Sequence, residues 1–295
     1  MALRVLSSVL LSFPLFASQQ QITPKPSGPF HVSGNRILDS RNQPFLMRGT
    51  QLTDFHPQNA ARDNRGGRDF GPHSSTSLSA IRLRFNMNTV RIPLDAREAA
   101  RPGYFATLAR TVRRANEADL LVVLAARDAT PEFWAQCASY FKDYPNVMFD
   151  LLADAQSDEG WDAWRARMNE LTRTVRAAGA RQPVIAMSWN AAHDFAGIAP
   201  LRRYLLEDPN TIYEIVPTYP AGDRHSDYGE LAALAPVTAA GWDIAIADAS
   251  ACAKLPTDPA AVTAMIRANL EDFDARGISW TASVYEAGKL IKDYS

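Results

Sequence analysis

Asn146-Val147-Met148-Phe149-Asp150-Leu151-Leu152-Ala153-Asp154-Ala155 is the stretch on which the reading of this chain turns. The run from Val147 to Leu152 has apolar character and the length of a strand, and Asp154 follows where a connection to a helix begins. It reads as a buried strand that delivers one carboxylate to its C-terminal end. In a parallel α/β barrel, that end of each strand carries the chemistry.

Similar runs lie on both sides of it. Residues 45–52, 89–94, 120–126, 184–189, 212–219, 244–249 and 278–284 make, with 147–153, eight strand candidates. Between them, 104–118, 161–178 and 259–276 have amphipathic, helical spacing. Gly179 and Gly277 fall at plausible helix stops, and Asp258-Pro259 offers an N-cap and a first-turn proline. Strands alternating with helices predict an α/β fold, a single-domain (β/α)8 TIM barrel. No Gly-x-Gly-x-x-Gly follows the first strand to favour a doubly wound sheet. His31 to Asp39 is expected to form a short hairpin leading into the first strand. The loop 53–75 would overhang the site face, and the eighth helix, after Val284, is expected to be short or absent.

The 295 residues, 46% hydrophobic and 21% charged, suit one domain of this size. A net charge of −1 gives no electrostatic case for nucleic acid or an anionic membrane, so a neutral ligand fits better. Met1-Ala2-Leu3-Arg4, an apolar run to Ala17 and the polar Ser18-Gln19-Gln20-Gln21 read as a signal peptide over 1–17. The run is too short for a membrane anchor, which leaves a secreted or periplasmic protein with no integral membrane segment after leader removal. Residues 18–29, with their prolines and Gly28, are expected to be an extended linker before a domain spanning 30–295. Cys137 and Cys252 set no disulfide framework. They lack spaced histidines, so neither a metal nor another cofactor is expected.

Four further segments sit at strand ends: Asn88-Thr89-Val90-Arg91-Ile92-Pro93, Tyr213-Glu214-Ile215-Val216-Pro217-Thr218-Tyr219-Pro220, Asp243-Ile244-Ala245-Ile246-Ala247-Asp248-Ala249-Ser250 and Ile278-Ser279-Trp280-Thr281-Ala282. With the 147–154 strand they resemble the strands of family 5 glycoside hydrolases, the cellulase-like enzymes, from about residue 30 to the end. The resemblance implies that Arg91 is the arginine hydrogen-bonded near the nucleophile and Tyr219 the tyrosine of a His-x-Tyr pair. It implies that Trp280 is the tryptophan that stacks on a sugar face. Trp189, ending the fifth strand, is a further candidate sugar platform. Asp154 stands where the family has its acid/base glutamate, and Asp248 where it has its nucleophile.

The departures are as informative. Ala153 replaces the asparagine beside the acid/base, Pro217 replaces the histidine of His-x-Tyr, and Ala125-Ala126-Arg127 stands where a histidine follows strand three. Each glutamate-to-aspartate change withdraws a carboxylate by about 1.5 Å. A retaining enzyme needs its carboxyl groups about 5–5.5 Å apart and an inverting one about 6.5–9.5 Å, so direct attack by Asp248 is disfavoured and a water-mediated inverting reaction stays open.

Three functional expectations follow. The first is a secreted barrel that binds a β-linked oligo- or polysaccharide, with O-glycosyl hydrolysis weak or lost, a pseudoenzyme. The second is an active hydrolase with Asp154 as acid and Asp248 as base or nucleophile. The third is an interaction barrel without a glycan site. Each residue also has a plainer role open to it: Arg91 as half of an ion pair with Asp154 or Asp248, Trp280 as core, the two aspartates as helix caps. His56 and His73 are expected to be solvated in the loop over the cleft, and Trp161, Trp164 and Trp242 to pack between elements.

Overall fold

The computed structural model describes residues 22–58, 71–127, 129–151, 160–188, 195–199, 202–215, 225–243, 258–283 and 285. Its centre is the predicted barrel. Strands β3 (Arg48–Gln51), β4 (Thr89–Asp95), β5 (Leu121–Arg127), β6 (Val147–Asp150), β7 (Val184–Met187), β8 (Thr211–Ile215), β9 (Val237–Asp243) and β10 (Ser279–Ser283) close in the order β10-β3-β4-β5-β6-β7-β8-β9, all parallel.

Strand alternation divides the side chains into two cores. Val122, Leu124 and Ala126 of β5 point outward with Val90 and Ile92 of β4 and pack in the layer beneath the helices. Leu121 and Val123 point inward with Met148, Ile185 and Ile212, and this lumen cluster is closed at the N-terminal end by Phe30, Ile37, Phe45 and Met47. Ile37 reaches it from the expected hairpin, β1 (His31–Ser33) paired antiparallel with β2 (Arg36–Leu38). The lumen is therefore plugged at one end by apolar side chains from the first fifty residues.

Around the barrel lie α1 (Ser75–Leu83), α2 (Tyr104–Glu117), α3 (Pro131–Phe141), α4 (Gly160–Ala177), α5 (His225–Leu234) and α6 (Pro259–Arg276). Local chemistry sets their ends. Thr130 and Asp258 cap α3 and α6 ahead of a proline in the first turn, and Gly277 ends α6 in the left-handed region at φ 68°. Two indoles tie helices to the site face: Trp134 of α3 donates to the Leu151 carbonyl at 2.8 Å and Trp164 of α4 to that of Met187 at 2.9 Å, just past or at the ends of β6 and β7. Trp164 thus packs between elements as expected. Cys137 is a buried free thiol on α3.

The sequence expectation for one strand is corrected. The seventh barrel strand is β9, Val237–Asp243, where 244–249 was expected; those later residues lie outside the described ones. Thr238-Ala239-Ala240-Gly241 lacks the branched apolar side chains that mark a strand, and its pairing with β8 and β10 overrides that weak local signal. Within the segment expected to be a linker, the described residues are tied to the barrel. Thr23 is 4% exposed: its N–H donates to Asn86 Oδ1 at 2.9 Å, its hydroxyl to the Asn86 carbonyl at 2.9 Å, and Arg82 donates to its hydroxyl at 2.6 Å and its carbonyl at 2.9 Å. Gly28 N–H donates to Asn146 Oδ1 at 2.8 Å, and a Cβ there would stand 1.8 Å from the Pro145 carbonyl oxygen. Residues 23–29 are a strap bound to the barrel. Residues 1–21, which include the leader expected over 1–17, and the chain beyond Tyr285 lie outside the described residues, among which no helix is long and apolar enough to cross a membrane.

Candidate active site

Above the apolar plug, toward the C-terminal strand ends, the lumen turns polar. Inward alternation places Gln51 on β3, two residues beyond Gly49 and four beyond Met47, and Arg91 on β4. It also places Asp150 two residues after Met148 on β6, and Glu214 two after Ile212 on β8. All four meet. Arg91 donates to Asp150 Oδ2 from Nε at 2.9 Å and from Nη2 at 2.6 Å, and Nη2 lies 3.5 Å from Glu214 Oε1. Nη1 donates to the Gln51 side-chain oxygen. Arg91 thereby links four of the eight strands.

Burial makes this a demanding arrangement. Asp150 is 0% exposed, Glu214 1% and Arg91 7%, so one cation serves two carboxylates away from water. Burial alone would lower the Arg91 pKa, but the charges of Glu214 and Asp150 and the hydrogen bond to Asp150 raise it, so the guanidinium stays charged. Glu214 is pushed well above the ordinary carboxylate range, first by burial and then by the charge of Asp150, with Arg91 opposing. The acid form of Glu214 is thereby favoured relative to that of an exposed glutamate. Both carboxyl groups are buried, and their contacts hold Arg91 in the lumen.

The rim is described on the β3 and β4 side. Phe55 bridges Leu94, and His56 Nδ1 stands 3.1 Å from Glu98 Oε2, whose other oxygen pairs with Arg101 at 3.2 Å. His73 is the surprise of this loop. It is 0% exposed, not solvated, with Nε2 3.2 Å from the Thr53 carbonyl and its ring edge-on to Phe55 at 5.8 Å. Burial, against the hydrogen bond to Thr53, lowers its pKa to about 4, so the imidazole is neutral.

Of the sequence-predicted site residues, Arg91 and Trp280 are described. Arg91 is in the lumen, but among the described residues its ion pairs are with Asp150 and Glu214. Trp280 is on β10 and 9% exposed, in the cluster of helix-facing side chains with Ile278, Ala282 and Phe273. Its register partners Arg48 and Ala239 share that outer face, so the cleft-facing orientation expected of it is not the one found. Asp154, Asp248, Tyr219 and Trp189 lie outside the described residues. Asp150, Glu214 and Gln51 were missed as site residues. The signal was available: an isolated charge at an inward position of an apolar strand requires a buried partner. Among the described residues no cluster of His, Cys, Asp and Glu is placed to hold a metal ion.

The family profile described as cellulase (glycosyl hydrolase family 5) matches residues 38–278. No curated protein matches the sequence. Among solved structures, a β-glucanase of Saccharophagus degradans in complex with cellotetraose superposes with a TM-score of 0.71 at 18% identity, covering 92% of this chain and 89% of that one. The catalytic domain of a Thermobifida fusca endoglucanase, also with cellotetraose, gives 0.68 at 16%, covering 88% and 86%. A β-mannanase of Streptomyces thermolilacinus with mannohexaose gives 0.66 at 19%, covering 90% and 87%. At these identities the likeness establishes the barrel, not the substrate.

Proposed function

The chain belongs to the cellulase family, glycosyl hydrolase family 5, and from that premise we propose that it is a secreted barrel that binds a β-linked glycan at its C-terminal face and hydrolyses it weakly or not at all. The observation that carries the reading is in the sequence: by the family resemblance, Asp154 and Asp248 stand where the family has its two catalytic glutamates, and each exchange withdraws a carboxylate by about 1.5 Å. Together with Ala153 and Pro217 in place of the family's asparagine and histidine, this leaves few groups to place and tune a second carboxylate. The neighbours solved with cellotetraose and mannohexaose suggest the β-linked ligand class.

Calorimetric titration with cellotetraose and mannohexaose, run beside an assay for reducing sugar released from soluble β-glucan and β-mannan, tests the proposal. The expected result is binding with little or no release. Release that Asp154→Ala abolishes would establish hydrolysis through the strand 147–153 carboxylate and overturn it. Export under the 1–17 leader belongs to the same reading and is checked by N-terminal sequencing of protein recovered outside the cytoplasm.

A further inference from the structure

One cation and two carboxylates occupy the lumen layer, and their charge balance constrains how many protons they hold. With no proton the group carries a net negative charge where almost no water reaches. With two, the guanidinium is left without a counter-charge. One proton gives a neutral group. Asp150 Oδ1 and Glu214 Oε1 are both buried, and neither has a hydrogen-bond partner among the described residues. Both carboxyl groups converge on the same nitrogen, Arg91 Nη2, with Asp150 Oδ2 at 2.6 Å and Glu214 Oε1 at 3.5 Å, so a single proton on one of them supplies the missing donor for the pair.

No other described ionisable group flanks them. The register neighbours of Asp150 are Ala125 on β5 and Ile185 on β7; those of Glu214 are Met187 on β7 and Thr238 on β9. From β3 the layer receives Gln51, and from β4 Arg91. We propose that Asp150 and Glu214 share one proton and in that state act as positioning residues that fix Arg91 beneath the sugar face. The positioning role rests on the glycan-binding reading above; the shared proton does not. Burial of Glu214 and the charge of Asp150 both favour the acid form of Glu214. When the proton leaves, the guanidinium, now bonded to Asp150 and Gln51 and 3.5 Å from Glu214, faces two competing anions.

Infrared spectra of the intact protein in D2O test the proton directly. At neutral pH the wild type is expected to show the carbonyl stretch of a buried carboxylic acid. Both Glu214→Gln and Asp150→Asn are expected to lose it, the second because Glu214 then pairs with Arg91 alone and ionises. No such band in the wild type, or its persistence in both variants, overturns the shared proton. Cellotetraose affinity followed against pH tests positioning. Wild-type affinity should fall about tenfold per pH unit above the pair's upper titration. The Glu214→Gln affinity, whatever its value at neutral pH, should stay flat, because the amide donates in the proton's place. A profile for Glu214→Gln that parallels the wild type leaves Glu214 merely structural and overturns positioning. Absence of cellotetraose binding at every pH removes the glycan reading and the positioning role together, while the infrared band still decides the proton.

Discussion

Trp280 stands in register beside Arg48 across the β10–β3 pairing that closes the barrel, and Arg48 reaches outward to pair with Asp274 of α6 at 2.8 Å. Neighbours in register on parallel strands project to the same side. The indole therefore belongs to the layer between barrel and helices.

Trp280→Ala is accordingly expected to act on stability. Removing a large buried aromatic costs about 3–5 kcal/mol, read as a lower midpoint in urea denaturation. Glycan affinity of the folded variant should be unchanged. Lost affinity with an unchanged midpoint would place the indole in the cleft instead.

The strap offers a second test. Thr23→Ala strips Arg82, 6% exposed, of a side-chain acceptor, which should cost about 1–3 kcal/mol. Deleting residues 22–29 should cost more, because the Arg82 bond to the Thr23 carbonyl and the Gly28–Asn146 bond also go. Urea titrations of both variants check the order. A deletion no worse than Thr23→Ala would reduce the strap to that single contact.

Acid should weaken the fold through His73. Its folded pKa, about 4, lies below the ordinary value of 6.5, so the unfolded chain takes up the proton first as pH falls. The stability contributed by the neutral imidazole is complete above 6.5 and is lost progressively down to about 4. At about 1.4 kcal/mol per unit, the loss is on the order of 3 kcal/mol. His73→Gln should flatten that limb of the stability profile, and an unchanged limb would assign it to other groups.

The barrel was legible because strands buried on both faces appear as unbroken apolar runs, and β5, with Leu121-Val122-Val123-Leu124, is the plainest case. β9 was hidden by its small residues. The orientation of Trp280 was hidden for a different reason: which face a strand residue takes depends on its register against β3, a partner more than two hundred positions away in the chain. The same continuity that revealed the strands concealed the lumen charges. Asp150 was absorbed into the run Val147 to Leu152, and Glu214 into the run 212–219, although each shares inward parity with an apolar neighbour two residues before it. The strap's prolines announced extended backbone correctly. Its attachment depends on Asn86 and Arg82, about sixty residues downstream, and on Asn146, and no local pattern encodes those contacts.

The plug at the N-terminal end also bears on the order of events during synthesis. Phe30, Ile37 and Phe45 are made early, yet the cradle that receives them includes Met148, Ile185 and Ile212, and the hairpin is fastened by Val32 N–H to Asn210 and by Asn35 to the Ala232 carbonyl. Contacts that span so much chain form late, since each requires the closure of a long loop. The nascent hairpin must wait, apolar and unpartnered, until about four-fifths of the chain has been made. The segment that seals the barrel is thus made early and seated late.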